Sequence, residues 1–362
     1  MKIVHAVQQN NSGMHRLAQN CVEGEKRLGI DSMLIDCHEM GQWMLPQVVN
    51  ADLYVNHSAF PKDARMLIER AQGKRAKTVF VSHGIPEYTM ELSIASYEAN
   101  AKNPHAYAFD DYWAALRYWL KESDATVVFS ERQQAIYQTF VGRNDTIDCV
   151  PMGIDRAFWE TEVPTEGLIG SPVVWMSENQ NRVKWALDVL TAWPWVVEQC
   201  PEIHLHCHWM PLDFHRFFID LANTNGASYH ATLSSLHFSH ERLRNLWKAV
   251  HFILSPTRYG DNTLVVMEAN AAGVPVVTYP GNAYADYWIQ EGDQRKMAKE
   301  LVAIFKGEVT PREKLPAPDL MDMSREMVAV YARVLGVPVT QSVAPPRPNL
   351  ALMMDEPVEV AV

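Results

Sequence analysis

The 362-residue sequence has no apolar run long enough to cross a bilayer. Gly-x-Gly-x-x-Gly, P-loop and Gly-x-Ser-x-Gly patterns are all missing. Their absence argues against a dinucleotide oxidoreductase, a nucleoside triphosphatase and a serine enzyme built on a nucleophile elbow. Cysteine is scarce: Cys21, Cys37, Cys149, Cys200 and Cys207 are scattered, odd in number and contain no CxxC pair. That excludes a disulfide framework or a zinc ribbon and leads us to expect reduced thiols in a cytoplasmic protein. Positive charge is in deficit, with a formal net charge of −11, so nothing favours long-range attraction to nucleic acid.

The composition is globular, with 48% hydrophobic and 21% charged residues, and the length suits two domains. The opening run Lys2–Val7 is too short for a signal-peptide core and reads as a first strand. A helix over Met14–Leu28 follows, then strands at Ser32–Asp36, Ala51–Asn56, Thr78–Ser82, Ala125–Ser130 and Ile147–Val150, spaced by helix-length sequence. Short apolar strands alternating with helices imply βαβ units and a parallel sheet buried on both faces.

Thr161–Pro172 breaks this rhythm with two prolines, two glycines and two glutamates. The alternation then restarts, with strands at Val173–Met176, Ile203–His208, Phe252–Ser255 and Val274–Thr278. The expected organisation is α/β, with two Rossmann-like parallel-sheet domains facing across a cleft: residues 1–160 on the acceptor side, a linker over 161–172, and a nucleotide-binding domain over 173–320. A C-terminal helix over 321–336 returns to the first domain in this scheme. The proline-bearing stretch 337–362 has no period and reads as a flexible tail. Ligands of open parallel sheets bind beyond the carboxyl ends of the strands.

The segment Phe252–Pro280 carries the most chemistry. It reads as strand, polar loop (Arg258-Tyr259-Gly260-Asp261-Asn262), helix, glycine turn and strand. Backbone amides at the helix start, with Thr263 and Leu264 in its first turn, suit a phosphate. Glu268 shares a face with Leu264 and suits sugar hydroxyls such as a ribose diol. Three further stretches stand out: Ser177–Lys184, which holds Arg182 and Lys184; Val150-Pro151-Met152-Gly153-Ile154-Asp155; and Asn10–Met14, which holds Gly13. His83-Gly84 ends a strand.

These motifs resemble the retaining glycosyltransferases of family 4, which have the GT-B fold. Glu268-Ala269-Asn270-Ala271-Ala272-Gly273-Val274-Pro275-Val276 is similar to that family's donor-site helix. The resemblance implies transfer of a hexose or pentose from a nucleoside diphosphate, UDP or GDP, with retention and without a metal or other cofactor. Glu268 would then bind the donor ribose, and the amides of Thr263 and Leu264 the diphosphate, with Asn262 and Gly13 beside them. Arg182 and Lys184 would stabilise the leaving diphosphate, and His83 would contact the transferred sugar. The family's first acid falls eight positions before the second, where this chain has Gly260, so Asp261 is the neighbouring substitute. Lacking a visible nucleophile, the resemblance implies front-face displacement assisted by the departing phosphate.

Other readings remain open. The acceptor is not legible. A phage-type enzyme acting on a hydroxylated DNA base is one alternative, and a non-catalytic sugar-nucleotide-binding or scaffold protein of the same fold is another. Lys62, Arg65, Arg70, Lys74, Arg75 and Lys77 are either a solvated helix and turn or a patch for a polyanion or a peripheral membrane contact. His204, His206 and His208 share one strand face, which suits cleft-facing histidines better than a metal site lacking further ligands.

Overall fold

The computed structural model describes residues 1–7, 13–36, 48, 50–57, 63–84, 86, 110–141, 146–162, 173–176, 186–208, 231–234, 238–257 and 263–339. The chain divides into two compact units. Among the described residues, one comprises Met1–Asp155 together with 318–339, and the other Arg156–Ala317.

The first unit is built on a parallel six-stranded sheet. Its strands are β1 (Lys2–Val7), β2 (Asp31–Asp36), β3 (Leu53–Asn56), β4 (Thr78–Val81), β5 (Ala125–Val128) and β6 (Ile147–Cys149), in the order β2-β1-β3-β4-β5-β6. Helices α1 (Gly13–Arg27), α2 (Asp63–Gln72), α3 (Asp110–Glu122) and α4 (Glu131–Val141) connect them. The strands are apolar because both faces are covered. Val4, Ile35, Tyr54 and Phe80 pack with Trp119 of α3 and Tyr137 of α4.

The second unit carries α5 (Arg156–Glu160), β7 (Val173–Met176), α6 (Ala186–Gln199), β8 (His204–His208), β9 (Ala231–Ser234), α7 (His240–Trp247), β10 (Phe252–Ser255), α8 (Leu264–Ala271), β11 (Val276–Thr278), β12 (Tyr287–Trp288) and α9 (Gln294–Phe305). Its parallel sheet runs β12-β11-β10-β7-β8-β9, the doubly wound order in which the chain reverses direction between β7 and β10. Val174, Met176, Leu205, Phe252 and Leu254 meet Trp193 of α6 and Leu301 of α9 in its core. The edge strands β9 and β12 escape the sequence pattern, since one is short and partly polar and the other is two residues long.

The unit boundary falls at Asp155, ahead of the expected 160. The physical reason is α5. Trp159 stacks on Trp247 with ring centroids 5.2 Å apart, and the Arg244 guanidinium covers the Phe158 ring at 4.4 Å. These contacts bind Arg156–Glu160 to the second unit.

The last helix, α10 (Leu320–Leu335), belongs to the first unit. It starts under an Asp319 cap, whose carboxylate accepts from the Met321 amide at 2.8 Å, and stops at Gly336 in the left-handed conformation. It packs on α1, where the bare Cα of Gly24 makes room for the Ser324 side chain. Gly153 is a glycine for a similar reason. A Cβ there would sit 2.5 Å from the Asp319 carbonyl oxygen and 2.7 Å from Met323 Cβ. Its role is close approach to α10.

Among the described residues no helix is long and apolar enough to cross a membrane.

Candidate functional site

In the second unit, the switch between β7 and β10 directs attention to the segments that follow these strands. β10 leads through the loop 258–262 into α8. Thr263 is the N-cap of α8, and its hydroxyl accepts from the Val266 amide at 3.4 Å. Helix geometry leaves the Leu264 and Val265 amides without intrahelical acceptors, so the first turn keeps donors to offer. Thr263 thus acts through its side chain as a cap, a role the sequence reading did not assign to it.

Glu268 lies one turn further on and is buried, 1% exposed. A carboxylate held in so enclosed a place is a committed polar group, and such groups are partnered. Arg182, Lys184, Asp261 and Asn262 lie outside the described residues.

The position that sequence reasoning missed is Asn270. Its side-chain amide donates to the carbonyls of Tyr284 at 2.8 Å and Leu315 at 3.0 Å, and its oxygen accepts from the Ala317 amide at 3.1 Å. One side chain therefore ties α8 to two returning segments of its own unit. The legible signal was an amide near the end of a helix whose other residues, Glu268 apart, are apolar. Gly273 then ends the helix with φ of 72°, which suits glycine.

The three histidines of β8 point to one face, half-buried, while Leu205 and Cys207 fill the core on the other. His206 stacks on Trp175 of β7 with centroids 4.2 Å apart, and His208 stacks on Phe238 at 4.9 Å. Burial, reinforced by His204, pushes the His206 imidazole down to about 4, which keeps it neutral near pH 7. Among the described residues no group of three or more His, Cys, Asp or Glu side chains is arranged to hold a metal ion.

In the first unit, the chain reverses direction between β1 and β3, and three imidazoles come from the neighbouring strands β1, β3 and β4. His5 lies within β1, while His57 and His83 follow β3 and β4. His5 Nδ1 lies 2.8 Å from His57 Nε2, and His57 Nδ1 lies 3.3 Å from His83 Nε2. At the inner end, His5 Nε2 is 2.9 Å from Glu25 of α1. The same carboxylate accepts from Ser32 Oγ at 2.6 Å and from Tyr331 Oη of α10 at 3.1 Å. His5, His57 and Glu25 are wholly buried, whereas His83 is half-buried. Burial, and then the neighbouring His5 and His83, push the His57 imidazole well down, and burial pushes His83 down to about 3.

The turn that carries His83 is anchored from behind. Ser82 Oγ and Tyr137 Oη lie 2.6 Å apart and both reach the Gly84 carbonyl oxygen, at 3.0 and 2.9 Å. Gly13 opens α1, and no atom of a described residue lies within 4 Å of where a Cβ would stand. Of the expected site residues, the structure puts His83 and Gly13 on the first unit and Thr263, Leu264 and Glu268 together on α8. The His5–Glu25 connection had a sequence signal as well, since each is a polar residue at a core position of an apolar strand or helix face.

Three residues of the basic stretch are paired with carboxylates. Arg65 is buried and pairs with Glu69 at 2.9 Å, and Lys77 and Arg75 pair with Asp124 at 3.1 and 3.5 Å. Lys62 lies outside the described residues. The observed pairing fits a structural helix-and-turn better than a polyanion patch.

No protein-family model and no curated protein sequence matches the chain. Solved structures do match. HepE from Anabaena in complex with UDP-glucose superposes with a TM-score of 0.63 at 14% identity, over 92% of this chain and 100% of that one. Sucrose-phosphate synthase from Thermosynechococcus elongatus gives 0.63 at 13%, over 92% and 96%. The lipopolysaccharide outer core galactosyltransferase WaaB gives 0.58 at 11%, over 92% and 99%. At such identities the likeness is one of architecture. Together with the two parallel six-stranded sheets, it establishes that this chain has the two-domain α/β fold of the GT-B glycosyltransferases.

Proposed function

We propose that this protein is a glycosyltransferase that moves a sugar from a nucleoside diphosphate to an acceptor hydroxyl, with its donor site on the second unit. The observation that carries the reading is α8 itself. A capped helix start with spare amides follows the strand at the β7/β10 switch, and a buried glutamate stands one turn along it. Helix-start amides and the helix dipole suit a diphosphate, and a carboxylate suits a ribose diol. Among the structural neighbours, HepE was crystallised with UDP-glucose, which makes a UDP-sugar the first donor to try and GDP-sugars the second.

In this reading Arg182 and Lys184 neutralise charge that grows on the leaving diphosphate, Asp261 and Asn262 belong to the loop before α8, and Gly13 allows close backbone approach to a phosphate. Transfer proceeds with retention and without a metal, by front-face displacement. His83 contacts a sugar hydroxyl. Gly260, where the resembling family has an acid, supports a second reading, a binding protein that no longer turns over.

Thermal shift and titration calorimetry with UDP, GDP and UDP-glucose, followed by product detection of donor hydrolysis, test both readings. The enzyme reading expects binding of one nucleotide, at least tenfold weaker in Glu268→Gln, and slow release of nucleoside diphosphate. Binding without release supports the second reading. Absence of any binding sinks the donor-site assignment.

A further inference from the structure

We propose that Glu25 sets the tautomer of His83 through His5 and His57, so that His83 offers Nδ1 as an acceptor to a ligand hydroxyl, and that a proton taken up there comes to rest on His5 beside Glu25. The ligand half of this statement rests on the glycosyltransferase reading. The relay half does not.

The donors around Glu25 fix the tautomers. Glu25 receives hydrogen bonds from Ser32 Oγ, Tyr331 Oη and His5 Nε2, and three donors on one carboxyl group match its ionised, acceptor-only form. His5 must then carry its proton on Nε2 and leave Nδ1 bare. His57 Nε2, 2.8 Å away, has to donate to that nitrogen, which leaves His57 Nδ1 bare in turn. His83 Nε2 donates to it across 3.3 Å, and the remaining His83 nitrogen, Nδ1, is presented as an acceptor. His83 Nδ1 makes no hydrogen bond to a described residue, and His83 is the half-buried member, just past the carboxyl end of β4.

A proton arriving at His83 Nδ1 reverses both imidazole–imidazole bonds without leaving a charge at the surface end. The His83 Nε2 proton passes to His57 Nδ1, and the His57 Nε2 proton passes to His5 Nδ1. The result is one imidazolium, His5, against one carboxylate, Glu25, and the path is reversed when the proton leaves. Burial, with neighbouring charge at His57, disfavours a resting charge on His57 or His83, and of the three rings only His5 touches a carboxylate among the described residues. The other groups facing Glu25 stay neutral. Burial, then the Glu25 charge, raises the Cys21 thiol of α1, and burial, then Glu25 and Cys21, raises the Tyr331 phenol of α10. Ser32 of β2 is a hydroxyl, and the ring next to His83 on its other side is Phe129, 5.6 Å away edge-on.

The test is two-bond nitrogen–proton NMR on protein labelled with 15N-histidine, assigned by single variants at His5, His57 and His83. The relay expects all three rings as the Nε2–H tautomer near pH 8. On acidification one step should protonate Nδ1 of all three while only His5 becomes doubly protonated. Glu25→Gln should scramble the tautomers and move proton uptake to lower pH. The double variant Ser32→Ala/Tyr331→Phe strips two donors from the carboxylate and should move uptake to higher pH. A purely structural Glu25 gives no such opposed shifts. His83 found as the Nδ1–H tautomer, His83 titrating while the other two rings stay unchanged, or a double variant with no upward shift overturns the relay. The last arm decides even if Glu25→Gln fails to fold. For the ligand half, UDP-glucose should move the His83 Nδ1 resonance and UDP alone should not. If UDP binds and UDP-glucose leaves Nδ1 unmoved, the hydroxyl contact is refuted. If neither nucleotide binds, the donor reading has failed, and the ligand-free spectra still decide the relay.

Discussion

Asn270 offers the sharpest test of how α8 is held. Its three hydrogen bonds run to Tyr284 O, Leu315 O and Ala317 N at 2.8, 3.0 and 3.1 Å, and Tyr284 and Ala317 are buried. Asn270→Ala removes all three and strands two carbonyls and an amide. With a net value of about 1 kcal/mol per bond, and more where the abandoned partner is shielded from water, the loss is about 3 kcal/mol. A unit of this size has an m-value near 2 kcal/mol per molar urea, so its unfolding midpoint should fall by roughly 1.5 M. Asn270→Asp supplies a control with a sign of its own. A carboxylate there would face two carbonyl oxygens, which raises its folded-state pKa above the unfolded value near 4. Stability from such a group is present below the unfolded pKa and is lost as pH rises through the folded one. Relative to wild type at each pH, Asn270→Asp should therefore be closer to normal at pH 4 than at pH 7. Urea titrations followed by tryptophan fluorescence at the two pH values measure both effects. A loss under 1 kcal/mol for Asn270→Ala, or an Asp variant that fares better at pH 7, would refute the reasoning.

Three further outcomes are expected. Gly153→Ala puts a methyl 2.5 Å from the Asp319 carbonyl and 2.7 Å from Met323 Cβ, so it should cost about 1–3 kcal/mol and speed hydrogen exchange in α10, with unchanged exchange as the contrary result. Trp159→Ala empties the stack on the buried Trp247 and should cost the second unit about 3–5 kcal/mol in urea unfolding; a loss below 1 kcal/mol would show that α5 is not anchored there. His206, lowered to about 4 by burial and by His204, binds its proton more readily when unfolded. Its contribution is therefore intact above about pH 6.5 and falls away between there and pH 4, by at most about 1.4 kcal/mol per pH unit and less for its exposed part. His206→Phe, which keeps a ring on Trp175, should flatten that slope in urea titrations from pH 7 to pH 4.

Much of this protein was written locally. An apolar strand buried on both faces and an amphipathic helix each leave a periodic trace, so β1, β7, β10, α1 and α10 could be read from residues a few positions apart. The segment from Phe252 to Pro280 announced its strand, helix and glycine turn in the same way, and with them the place of Glu268. What periodicity cannot carry is neighbourhood. His5, His57 and His83 are far apart in the chain, and they line up only because the sheet runs β1-β3-β4. Glu25 meets His5 because α1 turns its buried face toward β1, and Tyr331 joins because α10 returns from the far end of the chain. Asn270 could be seen as a second polar residue beside Glu268 in a largely apolar helix, but its three partners lie up to 47 residues away. The boundary at Asp155 followed from a tryptophan stack between α5 and α7 rather than from the proline-rich stretch after it. The sequence by itself determined the layers, the strand directions and the candidate donor helix, because those depend on short-range period and hydrophobicity. Tertiary structure alone decided which buried polar groups touch, because a hydrogen bond between distant residues exists only once strand order and helix packing have brought its two ends within 3 Å or so.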